Sequence, residues 1–534
     1  MNINSSRISK LVKSPYFIKQ LISCKYPVRV RCKEIKQFKF LRRNIYRLSA
    51  ELKLILLVAY LNIKELHSKG DIANLNIDSL TTNTALKHIV RNPQDSGIAI
   101  DRPVYMAVKE LQSVMALPYI TVSAEVSDIA KLDATLKAIG GDIDDSDVTL
   151  EGERRIIRID NEVVLGYDTK RLMVLTCEDE SCDHHKLLNE LLDYAPADMS
   201  RFNGYDIALY TDLHKAIDKA LYESADELGE ATEVMEQYQE LINEDANAIC
   251  GVTFENGTVI ISSDIAGINE EVLSSLKSSN AKHLRLLPPS PIALLNVSIN
   301  GEAVAEVLNT VVNVMLTSSD SNLINEVNIF KNVALGVVGS IDGDLMIALS
   351  DANGKLMEDE ISGSRLVFTT ANATFAADVK DDYIIKNVDT YMGSFLTKRG
   401  KGKYSAEMFG NKINIGQQEN FFYVGINNSA DVKEKSAADE EWSNNVYGSY
   451  LYAMVDFDRL FSSGFGRAAL SGFYANSSKD DAQDIKTVVN YIDSGYLLIN
   501  SNEQSLHSEL TVTLKNHSAN SLKQLVEIVY NKAN

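Results

Sequence analysis

The chain alternates between two hydrophobic rhythms. Short apolar runs, dense in β-branched residues, are followed by segments whose apolar positions recur every three or four residues. The first rhythm predicts buried strands and the second predicts amphipathic helices. KLILLVAYLNI (Lys53 to Ile63) opens the series as a strand, and the stretch from Lys64 to Val90 follows as helix, broken near Gly70. RPVYMAV and LPYITVSAEV (Arg102 to Val126) are two more strands. SDIAKLDATLKAIGG is a helix: Ser127-Asp128 lie at its N-cap, Ile129, Leu132, Leu136 and Ile139 share a face, and Gly140-Gly141 end it. A meander of three strands runs from Val148 to Cys177, and HHKLLNELLDYA closes the unit as a helix.

This grammar then restarts. DIALYTDL (Asp206 to Leu213) leads to a long helix within residues 214–244, a hairpin turning at Asn256-Gly257, and a closing helix, INEEVLSSLKS. Asn-Gly favours a type I′ turn, in which both central residues take positive φ. PIALLNVSI (Pro291 to Ile299) is the third start. It feeds the helix GEAVAEVLNTVVNVML and then a hairpin, NVALGVVGSIDGDLMIALSD, turning at Asp342-Gly343. Further strands and a helix within residues 381–396 complete that unit. SYLYAMVDF (Ser449 to Phe457) is the fourth start, with two helical segments, a hairpin and the closing helix SLKQLVEIVYNK. Short hairpins imply antiparallel pairing, and alternation in HSELTVTL implies sheets with one buried face. The expectation is an α+β fold of two tandem halves, 49–284 and 285–534, each made of antiparallel sheet covered by helices and related by internal duplication. The three prolines of LRLLPPSP (Leu284 to Pro291) mark the join.

Charge separates the first 48 residues from this body. Residues 1–47 carry thirteen Lys and Arg and a single acid, Glu34, which leaves 40 of the 53 basic and 72 of the 73 acidic residues to the rest. An acidic body repels phosphates and anionic headgroups, so no nucleic-acid partner is expected. The basic segment reads as a nucleic-acid or membrane arm, as a divergent targeting segment, or as an artefact of start-site choice. Within it, Leu21-Ile22-Ser23-Cys24 matches the tetrapeptide of a lipidation site, which makes Cys24 the candidate anchor. The apolar run that should precede it is interrupted by Lys13, Pro15, Lys19 and Gln20. No run of about 18 uninterrupted apolar residues occurs.

Candidate chemistry is sparse. CEDESCDHHK brings together Cys177, Cys182, His184 and His185, all of them zinc-ligand types, but the cysteine spacing is wide and no second pair follows. A Cys177–Cys182 disulfide and a plain loop are the other readings. Asp142, Asp144, Ser146 and Glu153 fall at positions of a calcium loop, but Asp147 stands where glycine is required and a strand follows. KRGKGK (Lys398 to Lys403) lacks phosphate-loop spacing and reads as an exposed basic turn. SSGFGRAALSGF (Ser462 to Phe473) reads as locally flexible. Trp442 is a binding anchor or a cover for a core edge. None of the eight histidines joins a catalytic motif. No catalytic, cofactor or metal residues are assigned.

The four starts, together with NPQDSGIAIDRPVYMAV (Asn92 to Val108) and LLPPSPIALLNVSINGEAV, resemble a domain-of-unknown-function family of envelope lipoproteins from Gram-negative gut anaerobes. The resemblance covers residues 49–534. It implies an exported, lipid-anchored protein with no assigned activity. The expectation is thus a non-catalytic binding or scaffolding protein of the cell envelope, with a protein or glycan partner and membrane contact only through the anchor. The alternatives are a hydrolase-like enzyme with a site assembled from distant residues, or a cytosolic protein with a basic arm.

Overall fold

A computed structural model describes residues 55–75, 83–109, 119–140, 148–159, 163–177, 183–193, 200–216, 242–269, 273, 276–306, 308–309, 331–358, 365–408, 410–428, 431–476, 478–502 and 505–533. Cys24 and the rest of the basic segment lie outside the described residues, as do residues 217–241 and 310–330. The fold is α+β, and every strand register given below is antiparallel. The described residues fall into two compact units. The first holds 55–216, 244–266 and 516–533, and the second holds 242–243 and 267–515, so that the strands Ile242–Glu255 and Thr258–Ile268 fall in the first but for their end residues.

In the first unit the strands are β1 (Ile55–Leu61), β2 (Val104–Lys109), β3 (Tyr119–Glu125), β4 (Val148–Glu151), β5 (Arg154–Arg158), β6 (Val163–Tyr167), β7 (Arg171–Cys177), β8 (Ile207–Asp212), β9 (Ile242–Glu255) and β10 (Thr258–Ile268). They pair in the order β4-β5-β6-β7-β3-β2-β1-β8-β9-β10. β1 is flanked by β2 and β8. Val58 and Tyr60 lie in a core with Phe202 and Ala208. The helices are α1 (Ile63–Lys69), α2 (Thr84–Arg91), α3 (Ile129–Gly140) and α4 (His184–Asp193). Leu188, Leu191 and Leu192 of α4 pack on Ile156, Val164 and Met173. Leu132 of α3 packs on Ile157 and Leu165. Neighbouring residues of β5 and β6 therefore belong to different cores. A strand covered on both faces needs consecutive apolar residues, as in RIIR and VVLGY.

The second unit has β11 (Ala293–Asn300), β12 (Ile341–Glu358), β13 (Arg365–Val379), β14 (Thr397–Gly400), β15 (Lys403–Met408), β16 (Asn411–Gln418), β17 (Phe421–Ile426), β18 (Leu451–Asp456), β19 (Ile492–Asn502) and β20 (Ser505–Leu514). Their order is β14-β15-β16-β17-β13-β12-β11-β18-β19-β20. It matches the first unit position for position. Its helices include α5 (Tyr383–Asn387), α6 (Phe457–Ser462), α7 (Gly464–Asn476) and α8 (Lys479–Tyr491). Leu284, Leu286 and Leu287, in the proline-flanked stretch, are buried in a core with Leu294, Met346 and Tyr452.

A single device recurs at the four starts. At the last position of each opening strand, or one residue past it in the case of Asn62, stands an Asn or Asp whose side chain accepts a hydrogen bond from the backbone N–H three residues on. The pairs are Asn62 with Glu65 at 3.2 Å, Asp212 with Lys215 at 3.1 Å, Asn300 with Ala303 at 3.5 Å and Asp456 with Arg459 at 2.8 Å. Each cap satisfies an amide that the first helical turn leaves unpaired.

Three local expectations are corrected. First, Asn256 does not take positive φ; only Gly257 does, at +66°. The turn is therefore not type I′. The C-terminal segment engages it instead: Asn256 bridges Asn520, and the Gly257 N–H donates to the Ala519 carbonyl at 2.8 Å. Second, Asp342-Gly343 is not a hairpin turn. Residues 331–339 are helical, and β12 runs straight through the pair, which registers with Asn300 and Ile299 of β11. Gly343 sits at φ +134° in a register shift between β12 and β13, with the Asp378 carboxylate 2.8 Å from where a Cβ would stand. The glycine accommodates a bulge. Third, Gly464–Asn476 is helix, in keeping with the first helical segment expected of the fourth unit, so the glycines of SSGFGRAALSGF do not interrupt regular structure there. The Ser463 hydroxyl accepts from the Gly466 N–H at 3.0 Å and starts it.

Replacing Asp456 by Ala is expected to lower stability by about 1 kcal/mol. Chemical denaturation followed by tyrosine fluorescence checks it.

Candidate functional site

The first unit contains a cavity of about 490 Å³, within the usual range for small-ligand sites. Four pieces of chain build it. α1 supplies Ile63, Leu66 and His67, and Ile72 follows from the next turn. α2 supplies Ile89 and Val90. The segment entering β2 supplies Pro93, Ser96, Ile98, Ile100, Arg102 and Val104. The C-terminal helix, Ser521–Ala533, supplies Leu522 and Val526.

Local chemistry fixes each wall. Asn62 and Asn83 cap α1 and α2. Neither helix has a fully buried residue, because their apolar faces line the cavity. The His67 Nε2 donates to the Val90 carbonyl at 3.1 Å and ties the two helices together. Residues 96–102 are held against the end of β3. Ile98 bridges Val126, and the Ala99 N–H donates to the Glu125 carbonyl at 2.9 Å. Gly97 takes φ +85°, and its Cα approaches so closely that a Cβ would stand 2.3 Å from the Leu132 backbone nitrogen. Only glycine satisfies both demands. The C-terminal helix is pinned by the Ser521 hydroxyl donating to the Thr258 carbonyl at 2.8 Å, and by Lys523 pairing with Asp71 at 2.8 Å. The Lys523 hydrogen bond, followed by that from Asn74, holds the Asp71 carboxyl below its ordinary pKa.

The residues singled out in the sequence gather elsewhere or not at all. Cys177 is a free, buried thiol, and Cys182 lies outside the described residues. His184 Nε2 meets the Cys177 carbonyl at 2.9 Å, whereas His185 Nε2 meets Glu151 Oε1 at 3.1 Å. The adjacent imidazoles thus serve different partners. Among the described residues no group of three His, Cys, Asp or Glu side chains is placed to hold a metal. Asp142, Asp144, Ser146 and Asp147 lie outside the described residues, and Glu153 lies in the turn between β4 and β5. Lys398 lies over the Tyr404 ring in an exposed hairpin. Trp442 stacks on Tyr452 with ring centroids 6.0 Å apart and covers a core edge.

A second polar cluster, in the second unit, escaped sequence reading. Ser298, Asp344 and Asp378 are buried on adjacent strands β11, β12 and β13. The Asp344 N–H donates to Asp378 Oδ2 at 3.2 Å, and the Asn280 N–H donates to Asp344 Oδ2 at 3.2 Å. Lys282 reaches Asp378 at 2.5 Å, and His283 Nε2 lies 3.2 Å from the same carboxylate. The His283 ring also stacks on Phe421 at 5.2 Å and is only 3% exposed. A histidine–acid contact of this kind suits catalysis only where substrate can reach it. Here the imidazole is enclosed by the protein. Burial raises the Asp378 pKa, but the His283 and Lys282 contacts outweigh it and leave the carboxyl below the usual carboxylate range.

Comparison with known proteins adds two findings. The family model DUF4836, described as a domain of unknown function, matches residues 55–522. A solved structure described as crystal form I of TP0453 matches 41% of this chain and 79% of that chain, at 13% identity and a TM-score of 0.23. No match was found among curated proteins.

Asp378 has a folded pKa below its unfolded value of about 3.9. Its contribution is therefore present above that pH and is lost as pH falls through the folded value. Asp378→Ala is expected to cost about 3 kcal/mol at neutral pH, because it strands the buried imidazole and removes a buried pair. Asp378→Asn is expected to flatten the acid limb of the stability curve. Unfolding midpoints between pH 2 and 7 check both.

Proposed function

The chain belongs to the DUF4836 family, and on that premise we propose that it is a non-catalytic binding protein of the cell envelope, with its ligand site in the cavity of the first unit. The observation that carries this is the lining. Eleven of the fourteen described residues that form the cavity are Ile, Leu, Val or Pro, and among the described residues only His67, Ser96 and Arg102 are polar. Ile63, Leu66, Ile72, Ile89, Val90 and Ile98 line a common space without being fully covered. Filling such a space with a hydrocarbon removes apolar surface from water at roughly 25 cal/mol per Å².

Internal duplication is part of the proposal. Ten strands in the same order in each unit, and four Asn or Asp caps at corresponding junctions, support it. The envelope location rests on the sequence resemblance to lipoproteins and on Cys24 as the lipidated residue.

The neutral fluorophore N-phenylnaphthylamine is expected to bind the full chain with a rise in emission. Ile89→Trp, which fills the cavity, is expected to weaken binding about tenfold or more. A lack of binding by the wild-type chain would sink the ligand-site reading. Fractionation of the native cells tests the location, and a wholly soluble cytosolic pool would remove the envelope claim.

A further inference from the structure

The polar groups of the cavity are not equivalent, and their differences describe the ligand. The Ser96 hydroxyl is used twice: it donates to the Pro93 carbonyl at 2.6 Å and accepts from the Ile98 N–H at 3.1 Å. His67 Nε2 is engaged with the Val90 carbonyl. Neither is poised to orient a ligand without breaking a wall contact. Arg102 differs. Among the described residues it is the one cation of the lining. Its ion-pair partner is Glu125, with Nε 3.8 Å from Oε2, and the two side chains are 62% and 52% exposed. An exposed pair at that separation is worth little. A guanidinium carries five N–H donors in a planar fork that fits a carboxylate on two of them.

We propose that the cavity binds a fatty carboxylate: an unbranched alkyl chain lies among Leu66, Ile89, Ile98 and Leu522, and its carboxylate pairs with Arg102 at the mouth in place of Glu125. This rests on the ligand-site reading given above and specifies its chemistry. The interior offers hydrocarbon a surface without unengaged donors, so a polar group deep in the chain has nothing to meet. The mouth offers one cation. An alcohol of the same length gains the first contribution and not the second, and a cationic amphiphile is opposed by the guanidinium. Glu125 competes with the ligand for Arg102, so its neutralisation strengthens binding.

Titration calorimetry on the full chain, below the micelle concentration, compares dodecanoate, dodecanol and dodecyltrimethylammonium. Dodecanoate is expected to bind about tenfold more tightly than dodecanol, as charge-assisted hydrogen bonds imply. Arg102→Gln is expected to erase that difference while leaving dodecanol binding unchanged. Arg102→Lys is expected to retain part of it, and Glu125→Gln to increase dodecanoate affinity. An unchanged thermal midpoint shows that the variants are folded. Equal affinities for dodecanoate and dodecanol, unaltered by Arg102→Gln, would overturn the carboxylate assignment and leave the cavity as a general apolar site. Failure of dodecanol and dodecanoate alike would overturn the ligand-site reading itself. Binding to phosphatidylglycerol vesicles without binding to dodecanoate would assign the anionic group to a membrane lipid and overturn the free-carboxylate assignment.

Discussion

The junction at which a central strand becomes a helix is the constraint on which the rest depends. β1 is paired on both edges, and so is β11. Such a strand cannot end gradually, because its neighbours keep the backbone extended to the last paired residue. The chain must then leave the sheet and enter a helix at once, with several amides unpaired. An Asn or Asp at or just past the final strand position solves the problem. It tolerates extended backbone and caps the third residue of the following turn. Asn62 does this for α1, and α1 is a wall of the cavity.

The cavity follows from what lies on either side of that junction. α1 and α2 are short, and each is capped at its start. Their half-covered apolar residues need a second surface. The segment around Gly97 supplies part of it, held close by a residue without a side chain. The C-terminal helix supplies the rest, although about 450 residues separate Lys523 from Asp71 in sequence. Ser521 and Lys523 fasten it from both ends of its first turn. The apolar lining and the single guanidinium are thus products of four segments that no local motif connects.

Much of the strand content was readable because the strands announce their surroundings. RIIR and VVLGY are continuous runs because α3 and α4 cover both faces, and LPYITVSAEV alternates because one face of β3 is more exposed. The misread stretches share a cause. Asp342-Gly343 and Asn256-Gly257 carry strong turn chemistry, but tertiary partners took over those positions. Asp378 lies against the first, and the C-terminal segment pairs with the second. Turn propensity is a preference of about a kilocalorie and yields to such pairing. His283 and Asp378 were invisible for another reason: they stand 95 residues apart and meet only because β13 lies beside β12.

The amino-acid sequence by itself determined the α+β class, the four places where an apolar strand opens a unit, and the absorption of charge into an acidic body after a basic first segment. These are set by periodicity and composition, which act over a few residues. Tertiary structure decided that the two ten-strand orders coincide, that the C-terminal helix joins the first unit, and that Arg102 joins a mostly apolar cavity lining. Strand order and cavity walls depend on which distant surfaces bury one another, and burial is non-directional: many partners fit a given apolar face, and only the folded chain selects one.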